Sequence, residues 1–170
     1  MLLKSEEITR VFNEIYPNLC RFLESIVGRG VLAQDIAQES FLRLCQAEFG
    51  QISSEEIRFW IFRVARNLAL NEINKDKTQT KFWQQLIAFF SKNEPSPEEL
   101  IINSENRRIV RKLLERLPEN QRSALLLREQ EEMSYREIAL ILNISESKVK
   151  IDIFRARQSL RQFWFETKGG

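Results

Sequence analysis

The sequence predicts an all-α protein of two small helical domains joined by a linker, and three observations carry that expectation. Glycine and proline are scarce, five and four in 170 residues, so there are few points at which a helix must stop. Apolar residues recur at three- and four-residue intervals through most of the chain, the period of a helix with one buried face. The pattern breaks at length over residues 78–103, where an apolar island runs into SKNEPSPEE and its two prolines. A gap of roughly twenty residues exceeds ordinary connections inside a domain. The expected division is therefore residues 1–77, a linker at 78–103, and residues 104–170.

Taken in order, Ile8, Val11, Phe12, Ile15, Leu19, Phe22, Leu23 and Ile26 form a first stripe. Pro17 predicts a kink in it, and Gly28-Arg29-Gly30 a stop. Leu32, Ile36, Ala37, Phe41, Leu44 and Cys45 form a second stripe that ends near Phe49-Gly50. After a polar loop, in which Ser53 and Ser54 offer an N-cap, Ile57, Trp60, Ile61, Val64 and Leu68 make a third. Three such stripes can close a small bundle. Within the linker, Phe82, Trp83, Leu86, Ile87, Phe89 and Phe90 fall at helical spacing. Exposed apolar patches mark interaction surfaces, so this island is expected either to form a short amphipathic helix packed on one or both domains or on a partner protein, or to extend the core of the first domain. Helices resume up to Leu117, where Pro118 interrupts, and again over residues 119–128. Leu113, Leu114, Leu117, Leu125, Leu126 and Leu127 should pack beneath the C-terminal helices.

Residues 134–157, SYREIALILNISESKVKIDIFRAR, read as a helix-turn-helix. Ile138 and Leu142 share one helical face, and Ala139 is small enough for a second helix to cross closely. Asn143 stands where the chain must turn sharply, and asparagine tolerates positive φ. Ser145 is a good N-cap for the next helix, and Val149 and Ile153 give that helix a buried edge. Lys148, Lys150, Ile151, Phe154 and Arg155 remain for its exposed side. Cations for phosphate or guanine beside apolar groups for thymine methyls furnish a DNA-reading helix.

The formal net charge of +2 conceals an uneven distribution. Acids outnumber cations up to residue 57. From there to residue 81, Arg58, Arg63, Arg66, Lys75, Lys77 and Lys81 face only Glu72 and Asp76. A second basic stretch covers residues 148–168, where Asp152 and Glu166 oppose six cations. Two basic segments point to two nucleic-acid contacts on one chain. The chain has no histidine, which removes the commonest general base and metal ligand. Cys20 and Cys45 form no CxxC pair and are expected as buried reduced thiols rather than metal ligands. No apolar run approaches the ~20 residues that span a bilayer, and the N-terminus lacks the order of a signal peptide. A cytoplasmic protein without direct membrane insertion is expected.

Three stretches coincide with one family. LAQDIAQESFLRLCQ, residues 32–46, resembles the acidic docking block of region 2 in bacterial sigma factors. FWIFRVARNLALNEINKDK, residues 59–77, is similar to the segment that comes next in that region: tryptophan, aliphatic, aromatic, basic, aliphatic, alanine, any residue, asparagine. The stretch from LLERLPENQRS through the helix-turn-helix to RQFW, residues 113–164, resembles region 4. With region 3 missing, the resemblance is to the extracytoplasmic-function group of the sigma-70 family.

That resemblance implies a sigma factor whose partners are core RNA polymerase, promoter DNA and an anti-sigma factor. It implies no small-molecule substrate, catalytic site, metal or cofactor. Asp35, Gln38, Glu39, Leu42 and Arg43 would dock on the polymerase clamp helices. Arg63, Arg66, Asn67, Asn71, Asn74, Lys75 and Lys77 would meet the −10 element, where an asparagine amide offers both donor and acceptor to a base edge. The loop at residues 48–55 would receive a base flipped from the strand, with Phe49 either stacking on it or buried. Lys148, Lys150, Ile151, Phe154, Arg155 and Arg157 would read the −35 element. Departures from common family residues at Ser147, Lys148, Ile151, Asp152 and Asn71 bear on promoter sequence. Asp152 would repel phosphate unless it pairs with Lys148 or Arg155 or faces away. The alternative reading is a stand-alone helix-turn-helix regulator, which leaves residues 32–77 unexplained.

Overall fold

The structure is a computed structural model that describes residues 3–90 and 101–169, and the side chains of these except 76–90, 101–107 and 168. Seven helices, and no strand, occur among the described residues: α1 (Ser5–Val27), α2 (Gly30–Gln46), α3 (Ser54–Phe90), α4 (Ile101–Glu115), α5 (Glu119–Glu129), α6 (Tyr135–Leu142) and α7 (Glu146–Lys168). The all-α expectation holds. α1 runs through Pro17 without interruption, and Gly28 ends it at φ 74°, a left-handed position that glycine adopts without Cβ strain. Ser53 caps α3: its hydroxyl accepts from the Glu56 amide at 3.2 Å, while the Glu56 carboxylate accepts from the Ser53 amide at 2.8 Å. The helix does not end at Lys77 but continues to Phe90. The expected packing of the Phe82 to Phe90 side chains lies outside the described residues.

The helices α1, α2 and α3 pack on one another, as do α5, α6 and α7, with α4 bridging to α1 and α7. All six leucines expected beneath the helix-turn-helix are buried. The two helical groups also touch directly, α3 against α6 and α1 against α4 and α5. Their buried apolar side chains form one connected cluster from Val11 to Ala156.

That second neighbour shifts the buried face of α3. The expected stripe of Ile57, Trp60, Ile61, Val64 and Leu68 is only partly right. Ile57 and Ile61 are buried, but Trp60, Val64 and Leu68 are half-buried, while Phe62, Ala65 and Ala69 are fully enclosed. Phe62 meets Phe22 edge-on with ring centroids 5.4 Å apart. Two further expectations need correction. Phe12 is exposed, because it lies at the open end of the α1–α2 pair, and Cys45 is exposed beside it rather than buried. Cys20 is half-buried. Burial pushes its thiol and the neighbouring Tyr16 phenol up from their ordinary values, so both stay protonated near neutrality.

Candidate nucleic-acid interface

The helix-turn-helix is built by three local devices. Ser134 accepts from the Glu137 amide at 3.2 Å, and the Glu137 carboxylate accepts from the Ser134 amide at 2.6 Å, which fixes the start of α6. Asn143 ends that helix at φ 54°, the left-handed turn expected of it. The Ser145 hydroxyl then accepts from the Lys148 amide at 3.1 Å and starts α7. Val149, Ile153 and Ala156 are buried beneath α7, and Asp152 lies with them at 1 % exposure.

The Asp152 carboxylate accepts a hydrogen bond from Lys148 one turn earlier, so it is neutralised and turned away from any DNA. Its second oxygen has no partner among the described residues. All six side chains expected at the −35 element are exposed. Lys150, Ile151, Phe154 and Arg155 occupy the middle of the outward face, by their 100° steps along the helix. Lys148 and Arg157 flank it, and both are held within their own domain, Lys148 by Asp152 and Arg157 by Glu129. Lys150 lies 5.6 Å from the Tyr135 ring centroid, an exposed cation–π contact. Arg155 has no ion pair among the described residues.

On α3, Arg63, Asn67 and Asn71 occur at four-residue steps, with Asn74 and Lys75 continuing the row, and all five are exposed. Lys75 pairs with Glu72 at 3.1 Å. The Lys77 side chain lies outside the described residues. Arg66 departs from expectation. It stands one residue before Asn67, about 100° round the helix from it, and turns inward, where its side chain is 6 % exposed and bonded to Glu119, Asn120 and Ser123. Arg43, expected with the polymerase-docking residues, also lines a cleft of about 460 Å³ together with Leu68, Asn71, Asn74 and Lys75. Phe49, at the loop before α3, is half-buried and meets Trp60 edge-on at 5.4 Å.

Asp35, Gln38, Glu39, Leu42 and Arg43 form one exposed row on α2, with Leu42 58 % exposed and Arg43 paired with Glu39 at 2.8 Å. Beside the row lies an apolar groove of about 390 Å³, lined by Ile8, Thr9, Phe12, Gln38, Phe41, Leu42 and Cys45. Phe12 closes it by stacking on Tyr16 at 4.5 Å and meeting Phe41 edge-on at 4.9 Å. The groove was not foreseen, because Phe12 falls inside the apolar stripe by its angle and nothing in the sequence marks it as the uncovered member. Among the described residues no cluster of three or more acidic, cysteine or histidine side chains could hold a metal, and no helix is long and apolar enough to cross a membrane.

Fold and surfaces together define a two-part helical DNA-binding protein, with a helix-turn-helix at one end and a polar α-helical row at the other. The sequence matches the family model for sigma-70 region 2 over residues 11–79 and that for sigma-70 region 4 over residues 107–160. It is 32 % identical over 161 residues to the ECF RNA polymerase sigma factor SigM of Bacillus subtilis, covering 94 % of both chains. To the ECF RNA polymerase sigma-E factor of Salmonella typhimurium it is 30 % identical, over 89 % of this chain and 85 % of that one. In fold it resembles the sigma factor RpoE of Bartonella quintana, solved in complex with the anti-sigma factor NepR, with a TM-score of 0.66 over 92 % of this chain and 95 % of that chain, at 19 % identity. The chain therefore belongs to the sigma-70 family, in its extracytoplasmic-function group. It binds core RNA polymerase and directs it to promoters.

Proposed function

We propose that this sigma factor divides its work among three surfaces. Residues 1–77 carry polymerase docking and the −10 contacts, residues 104–170 carry the −35 contacts, and residues 78–103 connect them. Docking uses the α2 row of Asp35, Gln38, Glu39 and Leu42, with Arg43 at its edge and the Phe12–Leu42 groove supplying apolar area. Arg63, Asn67, Asn71, Asn74 and Lys75 meet the −10 element, joined by Lys77 and, once uncovered, Arg66. Lys150, Ile151, Phe154 and Arg155 read the −35 element, and Lys148 and Arg157 attach to its backbone. Cations supply salt-dependent attachment, and side chains at base edges supply the choice of site.

The observation that carries this reading is the pair of outward rows, one on α3 and one on α7, each on a helix whose opposite face is buried. The chain itself catalyses nothing in this reading and acts in the cytoplasm, where polymerase works. An anti-sigma factor is a further proposed partner. A stand-alone regulator is not favoured, because region 2 occupies the half where its dimer or ligand surface would have to lie. Run-off transcription with core polymerase on fragments flanking the protein's own gene tests the proposal. Discrete transcripts that depend on this chain, and that shift or vanish when the α3 and α7 rows are changed to alanine, are expected. Transcripts indifferent to both rows would remove it.

A further inference from the structure

The cleft of about 460 Å³ between α2 and α3 joins two surfaces that otherwise do separate work. Arg43 forms its α2 wall, at the edge of the docking row. Leu68, Asn71, Glu72, Asn74 and Lys75 form its α3 wall, which belongs to the outward row of that helix. Each wall therefore carries one cation, and the α3 wall adds two carboxamides and one apolar side chain.

Both cations are aimed by weak local pairs. Arg43 bonds through Nε alone, which donates to Glu39 Oε1 at 2.8 Å, and its two terminal nitrogens have no partner among the described residues. Lys75 Nζ donates to Glu72 Oε1 at 3.1 Å. All four side chains are at least 40 % exposed, and each pair lies within one helical turn. Exposed pairs of this kind contribute little against water, so they orient the cations without retaining them.

A guanidinium tied through Nε still offers its two Nη groups as donors, and phosphate oxygens are well matched to them. The anion that comes beside Asn71 and Asn74 when these meet the −10 element is the DNA backbone. We propose that the α2–α3 cleft is a backbone seat for one strand of the −10 element, with Arg43 as a phosphate contact contributed by the docking helix. The cleft has the volume of a small-molecule site. It takes a nucleotide of an opened strand and not a duplex. Arg43 and Lys75 hold the backbone from opposite walls, which sets the register in which the carboxamides meet base edges. Docking and promoter binding thus share a residue: polymerase that engages Glu39 takes from Arg43 its one ion pair among the described residues, and the strand replaces it. This inference rests on the reading of α3 as the −10 face.

The test uses holoenzyme assembled with the full chain and isolated before titration, so that differences in core affinity do not enter. The probe is a fluorescent single strand carrying the −10 sequence of a promoter found by run-off transcription, titrated at several salt concentrations. Arg43→Gln should reduce the steepness of log affinity against log salt by about 0.7, the value for one phosphate on a single strand. The loss should be the same for base-substituted strands. Lys75→Gln should act alike from the other wall. Arg43→Lys keeps the charge but not the fork, so the slope should return while affinity stays below that of the parent. This variant decides the matter if Arg43→Gln does not assemble, since affinity equal to the parent's would overturn the forked contact. An unchanged slope in Arg43→Gln overturns the seat and leaves Arg43 to docking alone. Asn71→Ala distinguishes that failure from failure of the −10 reading: it should relax the preference at one base with the salt slope intact. If it binds every strand like the parent, base reading by α3 fails, and the seat is still judged by the Arg43 slope.

Discussion

The helices α3 and α7 are both basic and both carry an outward row of cations and polar or apolar groups, but they secure their remaining charges in opposite ways. On α7 the flanking cations are settled inside the same domain, Lys148 by Asp152 four residues on and Arg157 by Glu129. On α3 the inward cations are settled across the molecule, Arg58 by Glu131 and Arg66 by Glu119, at separations of 73 and 53 residues. A recognition helix satisfied at home can be presented ready-made. A helix that borrows its partners from another domain has an availability that depends on where that domain sits.

The largest expected effect tests whether the two helical groups share one core. Phe62 is fully buried against Phe22 within the cluster that connects both halves. Phe62→Ala should cost about 3 to 5 kcal/mol, through lost transfer energy and the cavity left behind. Thermal unfolding tracked separately by Trp60 and Trp164 fluorescence in single-tryptophan versions should show both probes moving down together. A shift of the Trp60 transition alone would mean that the halves unfold as independent units.

Next in size is the middle of the α7 row. Arg155→Ala should weaken binding to an upstream-element duplex by about 1 to 3 kcal/mol, the range for a specific side-chain contact to a base. Lys148→Ala should cost less, because Asp152 already engages that ammonium, and it leaves Asp152 buried without its partner. Titrations of the two variants at several salt concentrations separate these effects. If Lys148→Ala proves the more damaging for DNA while stability is unchanged, the centre of the reading face is misplaced.

These two helices also show how much of a structure is legible in a sequence. The turn at Asn143, the Ser145 cap and the Lys148–Asp152 pair were foreseeable, because each depends on residues one turn apart. The inward course of Arg66 was not. Periodicity reports how many faces of a helix are apolar, and Arg66 is a charge that becomes buried only because Glu119, Asn120 and Ser123 are carried to it by the fold. One faint signal existed: in the segment from Trp60 to Asn67, Arg66 holds the position at which the family pattern accepts any residue. Phe62, Ala65 and Ala69 escaped for the same reason, since the neighbour that covers them lies beyond the reach of local pattern. Phe12 shows the converse, an apolar residue in a stripe left uncovered because its partner helix has little left to offer there.

The docking row on α2 gives a smaller effect of a different kind. Asp35→Lys with Glu39→Lys reverses two exposed charges, and exposed positions change stability by only about ±0.5 kcal/mol. Affinity for core polymerase should fall about tenfold, roughly 1.4 kcal/mol, with the loss mainly in the association rate and diminished at high salt. Surface-immobilised core enzyme would report both rates. An unchanged association rate would remove these carboxylates from the docking surface.

The smallest effect concerns how the two basic helices begin. α7 starts on Ser145 with Lys148 at the third position, so its cap contains no ionisable acid at that place. α3 starts on Ser53 with Glu56, whose carboxyl is held below its usual value by the hydrogen bond from the Ser53 backbone amide and further by the Ser53 side chain. A depressed carboxylate contributes stability that is fully present above its unfolded-state value and is lost as the pH falls through its lower folded value. Acidification should therefore weaken the start of α3 while leaving the Ser145 cap intact. Ser53→Ala removes the hydroxyl acceptor and should cost about 1 kcal/mol at neutral pH, as lost N-caps do. It should also return the Glu56 carboxyl part of the way toward its ordinary range, because the Ser53 backbone amide, the larger cause, stays in place. Carbon-detected NMR titration of Glu56 in the parent and in Ser53→Ala measures this directly. Identical titration midpoints in the two proteins would show that the Ser53 hydroxyl adds nothing to the hold of the backbone amide on the carboxylate.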